Sequence, residues 1–96
     1  MSYKVSLSPN AVKELNQSID WYNEQKAGLG KRFYSKVSTT IKTIKKNPYA
    51  FELRLKEFRI VPVKVFPFVL VYFVVEPKEI IITAVFHTSR NPDEAM

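Results

Sequence analysis

At 96 residues, with 46% hydrophobic and 25% charged side chains, the chain has the composition of an ordinary globular domain, so it reads as one domain spanning residues 1–96 around one modest core. It contains no cysteine, which removes disulfides, zinc–thiolate sites, iron–sulfur clusters and thiol nucleophiles, and one histidine cannot assemble a His-based metal cluster, so no metal or cofactor is expected. The formal net charge is +6, and residues 26–64 hold eleven Lys and Arg against two Glu. A field of this sign attracts nucleic acid, an acidic protein or an anionic surface; the plainer alternative is a solvated, lysine-rich helix face.

No apolar run approaches the roughly 18 to 20 residues that a membrane helix needs, and the first ten residues lack the pattern of a secretion signal. A cytoplasmic protein without membrane contact is therefore expected. Residues 3–7 alternate apolar and polar, which predicts a short half-buried strand. Ser8 and Pro9 then suit an N-cap and a first helical position. In the helix beginning there, Val12, Leu15, Ile19 and Tyr22 form an inward stripe, Trp21 lies just beside it, and Lys13, Glu14, Gln17 and Asp20 face out.

Gly28 and Gly30 end that helix and permit a reversal into a second, whose stripe is Leu29, Phe33, Val37, Ile41 and Ile44 and whose close is Lys45-Lys46-Asn47-Pro48. Gly28-Leu29-Gly30-Lys31 is no phosphate loop, because it lacks the remaining spacing and a Ser or Thr after the lysine. Residues 49–56 show no period and read as a connection. From Glu57 a three-strand meander begins. Its middle strand, Phe68–Val75, is apolar on both faces, as a central position requires. In the last strand, residues 80–87, strict alternation sets Ile80, Ile82, Ala84 and Phe86 on one face and Ile81, Thr83, Val85 and His87 on the other. The expected architecture is α+β: a short N-terminal strand and a two-helix hairpin packed on an antiparallel β meander.

Candidate chemistry gathers around the meander. His87 can serve as a general acid or base, or merely cap a strand end. Arg59 and Lys64 on the first meander strand, with Arg90 just beyond His87, make a set of cations suited to charge developing on a phosphate, and equally suited to a binding patch. Arg59 lies in an apolar stretch and must reach solvent or pair with a carboxylate such as Glu57 or Glu79. Tyr72 reads as core, with substrate positioning as the alternative.

Many stretches together resemble the RelE/ParE superfamily of toxins from type II toxin–antitoxin systems. They are Tyr3-Lys4-Val5-Ser6-Leu7-Ser8-Pro9 with Ala11 and Glu14-Leu15, then Trp21-Tyr22, Gly28-Leu29-Gly30 with Phe33, and Ile44 with Asn47-Pro48. Arg59, Phe66-Pro67-Phe68, Tyr72, Ala84-Val85-Phe86-His87, Arg90 and Pro92 complete the likeness. The resemblance implies a basic toxin neutralised by a cognate antitoxin. One branch of the superfamily cuts messenger RNA on the ribosome; the other resembles ParE and poisons DNA gyrase without catalysis of its own. Charge favours the ribonuclease, for which Arg59, Lys64, His87 and Arg90 would be the catalytic set. The absence of a terminal tyrosine, the long helical hairpin and the pattern from Arg59 through Phe66-Pro67-Phe68 to Arg90 look more like ParE.

Overall fold

The computed structural model describes residues 3–89. Strand β1 (Lys4–Leu7) leads into helices α1 (Pro9–Gln25) and α2 (Leu29–Lys46), and then come strands β2 (Glu52–Leu55), β3 (Phe58–Pro62), β4 (Phe68–Val75) and β5 (Glu79–His87). The strands form one sheet in the order β1-β5-β4-β3-β2, antiparallel except where β1 runs parallel to β5. The expected α+β arrangement is present with one strand more than the sequence suggested. Residues 49–56, read as a connection, contain β2, and all four of its residues are exposed. An edge strand with no inward stripe leaves no alternation to read.

Ser8 starts α1 by accepting the Ala11 N–H on its Oγ at 3.2 Å, with Pro9 in the first helical position. The inward stripe then runs through Ala11, Leu15, Ile19 and Tyr22. Val12, assigned to that stripe from the sequence, is 44% exposed, because Ala11 takes the inward position instead. Gly28 turns the chain with φ 86°. At Gly30 the helices touch: an added Cβ would lie against the Ile19 carbonyl and 2.6 Å from Asn23 Cγ, and Asn23 Oδ1 accepts the Gly30 N–H at 2.8 Å.

Both helices cover one face of the sheet. Ring packing fills the interface: Phe33 lies 4.8 Å from Phe68 and 5.1 Å from Phe66, and Tyr22 lies 4.9 Å from Phe66, centroid to centroid. Leu70, Tyr72, Ile80 and Ile82 complete this core and are fully buried. A smaller cluster of Ile60, Val71 and Ala84, with Phe58 against it, occupies the other face. The turn between β3 and β4 holds Val65 at φ 76°, a left-handed conformation that costs a β-branched residue about 1 to 3 kcal/mol.

One irregularity in β5 changes which side chains reach the helices. Val71 pairs with Ala84 but Tyr72 pairs with Ile82, so Thr83 is an extra, unpaired residue. A bulge of one residue shifts the alternation by one. Ile80, Ile82 and Val85 therefore share the helix-side core while Ala84 joins the opposite cluster, which reverses the faces expected for residues 84–87.

The start of α1 holds this bulge. Ser8 N–H donates to the Ile82 carbonyl at 2.9 Å, and the Thr83 carbonyl accepts from Ser8 Oγ at 3.3 Å and from Asn10 Nδ2 at 3.1 Å. Glu14, expected to face solvent, turns to the sheet and accepts the Val85 N–H at 2.9 Å. Glu14→Ala would leave that amide without its acceptor. Urea unfolding should show a loss of about 1 to 3 kcal/mol, and Glu14→Gln, which keeps an acceptor oxygen, should lose less.

Candidate functional site

Because of the bulge, His87 stands on the helix side of the sheet. Its ring meets Phe68 edge-on at 5.1 Å and 78°. Together with Gln17, Ser18, Trp21, Tyr22, Pro67 and Phe68 it lines a groove of about 420 Å³ between α1 and the end of the β4–β5 pair. Gln17, Ser18 and Trp21 recur at helical spacing and form a second stripe beside the buried one, which lends the groove Tyr22. This accounts for Trp21, which is 56% exposed. Burial raises the Tyr22 phenol above its ordinary pKa.

Ser89, two residues on, holds the imidazole in place. Its N–H donates to His87 Nδ1 at 3.0 Å, and its Oγ lies 2.7 Å from the same nitrogen. Accepting an amide hydrogen requires the lone pair on Nδ1, which assigns the ring hydrogen to Nε2 in the neutral form. His87 thus brings a fixed, edge-on ring to an apolar groove.

Arg59 and Tyr72 occupy another part of the molecule. Of the two alternatives read for Arg59, solvent or a carboxylate, pairing with Glu57 or Glu79 does not occur. Its Nη1 donates to the carbonyls of Phe51 at 2.8 Å and Tyr49 at 3.3 Å, and its guanidinium lies 5.2 Å from the centroid of the Tyr49 ring. Tyr72, fully buried, donates its hydroxyl to the Pro48 carbonyl at 2.6 Å. Both side chains fasten the chain where it leaves α2 for β2. Burial pushes the Tyr72 phenol up to about 12, against a smaller opposing pull from the nearby Arg59 charge.

The sequence-selected residues are therefore dispersed. Arg59 pairs with Tyr72 and His87 with Phe68, on opposite edges of β4. Four residue steps of about 3.3 Å and two strand spacings of about 4.8 Å put their backbones on the order of 16 Å apart. Lys64 lies just past β3 in the turn and lines a separate cleft against α2, with Lys36, Thr39, Thr40, Thr43 and Pro62. Arg90 lies outside the described residues. Among the described residues, no cluster of His, Asp and Glu is placed to hold a metal ion, and no helix is long and apolar enough to cross a membrane.

A two-helix layer on one face of a five-stranded, mostly antiparallel sheet, with an apolar groove at its margin, defines a small α+β domain. The sequence profile described as "ParE toxin of type II toxin-antitoxin system, parDE" matches residues 5–92. The chain belongs to the ParE toxin family, within the RelE/ParE superfamily. A solved structure titled "Chromosomal ParDE TA system from P. aeruginosa" contains a chain of the same fold, with a TM-score of 0.76 and 17% identity over 88% of this chain and 95% of that one. No curated protein matches the sequence.

Tyr72→Phe removes the donor to Pro48 and leaves a carbonyl unpaired in the core, so it should cost about 1 to 3 kcal/mol in urea unfolding. The raised phenol adds a pH signature. The folded protein keeps a proton that the unfolded chain releases near pH 10, so stability falls as pH rises from 10 toward about 12. Unfolding midpoints measured across that range should decline more steeply for the wild type than for Tyr72→Phe.

Proposed function

We propose that this chain is the toxin of a type II toxin–antitoxin pair that arrests growth by docking on DNA gyrase, without catalysing a reaction. A cognate antitoxin silences it by covering the Trp21–His87 groove. What supports the non-catalytic reading is the dispersal of the residues that phosphate chemistry needs at one point. Arg59 is engaged by backbone carbonyls, Tyr72 gives its hydroxyl to Pro48, and Lys64 and His87 line different cavities. A ribonuclease aligns a proton-transfer group and fixed cations within hydrogen-bond reach of a single phosphate. The ribosome-dependent alternative, to which the net charge points, finds no such convergence among the described residues.

The groove supports the antitoxin part of the reading. It is rimmed by a half-exposed tryptophan and an edge-on histidine, on a protein of net charge +6. A partner segment that orders on binding gains apolar anchors there and charge attraction from the surroundings. A cytoplasmic location goes with either target.

Induced expression without a partner should stop growth; unimpaired growth would remove the toxin reading. Purified protein should inhibit supercoiling by gyrase, and primer extension on messenger RNA after induction should show no new 5′ ends. New ends that vanish in His87→Ala would overturn gyrase docking in favour of ribosome-dependent cleavage. Trp21 is the sole tryptophan. Its emission should shift to the blue when the antitoxin is added, and an unshifted spectrum in a formed complex would place the antitoxin elsewhere.

A further inference from the structure

The cleft containing Lys64 faces a helix of unusual charge. Over its 18 residues α2 carries Lys31, Arg32, Lys36, Lys42, Lys45 and Lys46 and no acidic side chain, and among the described residues none of these six forms a salt bridge. A row of uncompensated cations repels itself and is most readily offset by an external polyanion. Lys36, Thr39, Thr40 and Thr43 recur at three- and four-residue spacing and form one wall and the floor of the cleft. Pro62 and Lys64 form the facing wall, enclosing about 220 Å³.

Among the side chains lining the cleft, only the two lysines keep hydrogens to donate to an anion. Thr39, Thr40 and Thr43 each turn their hydroxyl hydrogen back to a carbonyl one turn earlier, at 3.0, 2.9 and 3.2 Å. They therefore shape a low, uncharged floor and leave the Lys36 and Lys64 ammonium groups as the donors. Val65, adjacent to Lys64, is held at φ 76°, so the turn presents that lysine from a constrained backbone. Arg32 and Lys46 continue the face by about a turn at each end. From Arg32 to Lys46 the helix rises on the order of 21 Å, room for several successive phosphates.

We propose that this cleft and the α2 face beside it grip the sugar–phosphate backbone of a nucleic-acid duplex, independently of sequence. The lining favours this occupant over two others. It has no aromatic ring on which unpaired bases would stack, and Pro62 is its one wholly apolar side chain for a protein segment that folds on binding. Phosphates need only the cations. The site lies apart from the Trp21–His87 groove and does not rest on the gyrase reading, because the binding assay contains no gyrase.

Fluorescence anisotropy of the full chain with labelled duplexes of about 20 base pairs, over a salt series, tests this. Duplex should bind more tightly than a single strand of the same sequence, and log affinity should fall linearly with log salt. DNA and RNA duplexes run in parallel identify which backbone geometry fits, since the phosphate chemistry is shared. Lys36→Gln with Lys64→Gln should weaken duplex binding about tenfold or more and lower the salt slope by about two. Lys13→Gln, an exposed lysine on α1, should leave both unchanged, and circular dichroism should report the same fold for all variants. Three results would overturn the proposal: equal affinity and slope in the double variant, an equal loss in Lys13→Gln, or single strand bound as tightly as duplex. Absence of duplex binding at low salt would also overturn it, and would leave the cleft to an acidic protein surface.

Discussion

The extra residue at Thr83 is the constraint on which the rest of this molecule turns. A bulge exposes backbone groups that a regular ladder would pair, and in a buried strand each unpaired group is costly. Here the first turn and a half of α1 supply the partners. Ser8 and Asn10 bond the Thr83 carbonyl, and Glu14 takes the Val85 amide. The same few bonds have two consequences. The helix is docked in one orientation over β5, and the last residues of β5 are rotated so that Val85 enters the core and His87 reaches the groove. Ser8 serves both structures at once, since its Oγ also caps α1.

A second fastening lies across β4 from the first, on its β3 side. Arg59 and Tyr72 draw in the chain at residues 48–51, fixing the exit from α2 and with it the position of the helix over β3 and β4. The two fastenings divide the surface. Where α1 meets β5 the result is an apolar groove with a histidine and a tryptophan at its rim. Where α2 meets the β3–β4 turn the result is a cationic cleft with a threonine floor. Apolar grooves suit partners that bury side chains and lysine clefts suit phosphates, so the described residues present two chemically distinct surfaces.

Much of this was legible in the sequence where a local physical rule acts alone. Ser8-Pro9 marks the start of α1 because capping is local, and the uninterrupted apolar run locates β4 at Phe68–Val75 because a two-sided strand needs no alternation. The α2 stripe through Phe33, Val37 and Ile44 can be read from period alone. Legibility failed where a distant segment decides the outcome. Alternation through Thr83 looks unbroken until the register with β4 is known, so the sequence pattern places His87 and Val85 on the face opposite to the one they occupy. Glu14 reads as a solvent-facing carboxylate because its partner is an amide 71 residues away. Arg59 in an apolar stretch suggests either solvent or a carboxylate as its partner, yet backbone carbonyls satisfy it, and no residue type announces those. Trp21 reads from the sequence as helix–sheet packing, yet it is 56% exposed and lines the groove, because it is set just off the buried stripe.

The position of the His87 ring tests the role of the bulge most directly. In a nuclear Overhauser spectrum of the isotope-labelled protein, His87 ring protons should give cross-peaks to the rings of Phe68 and of Trp21 or Tyr22, as their shared place in the groove requires. Cross-peaks from His87 to side chains of the opposite face around Ile60, Val71 and Ala84, with Phe86 contacting the helices instead, would mean that β5 alternates without a bulge. That result would contradict both the groove and the helix docking that forms it.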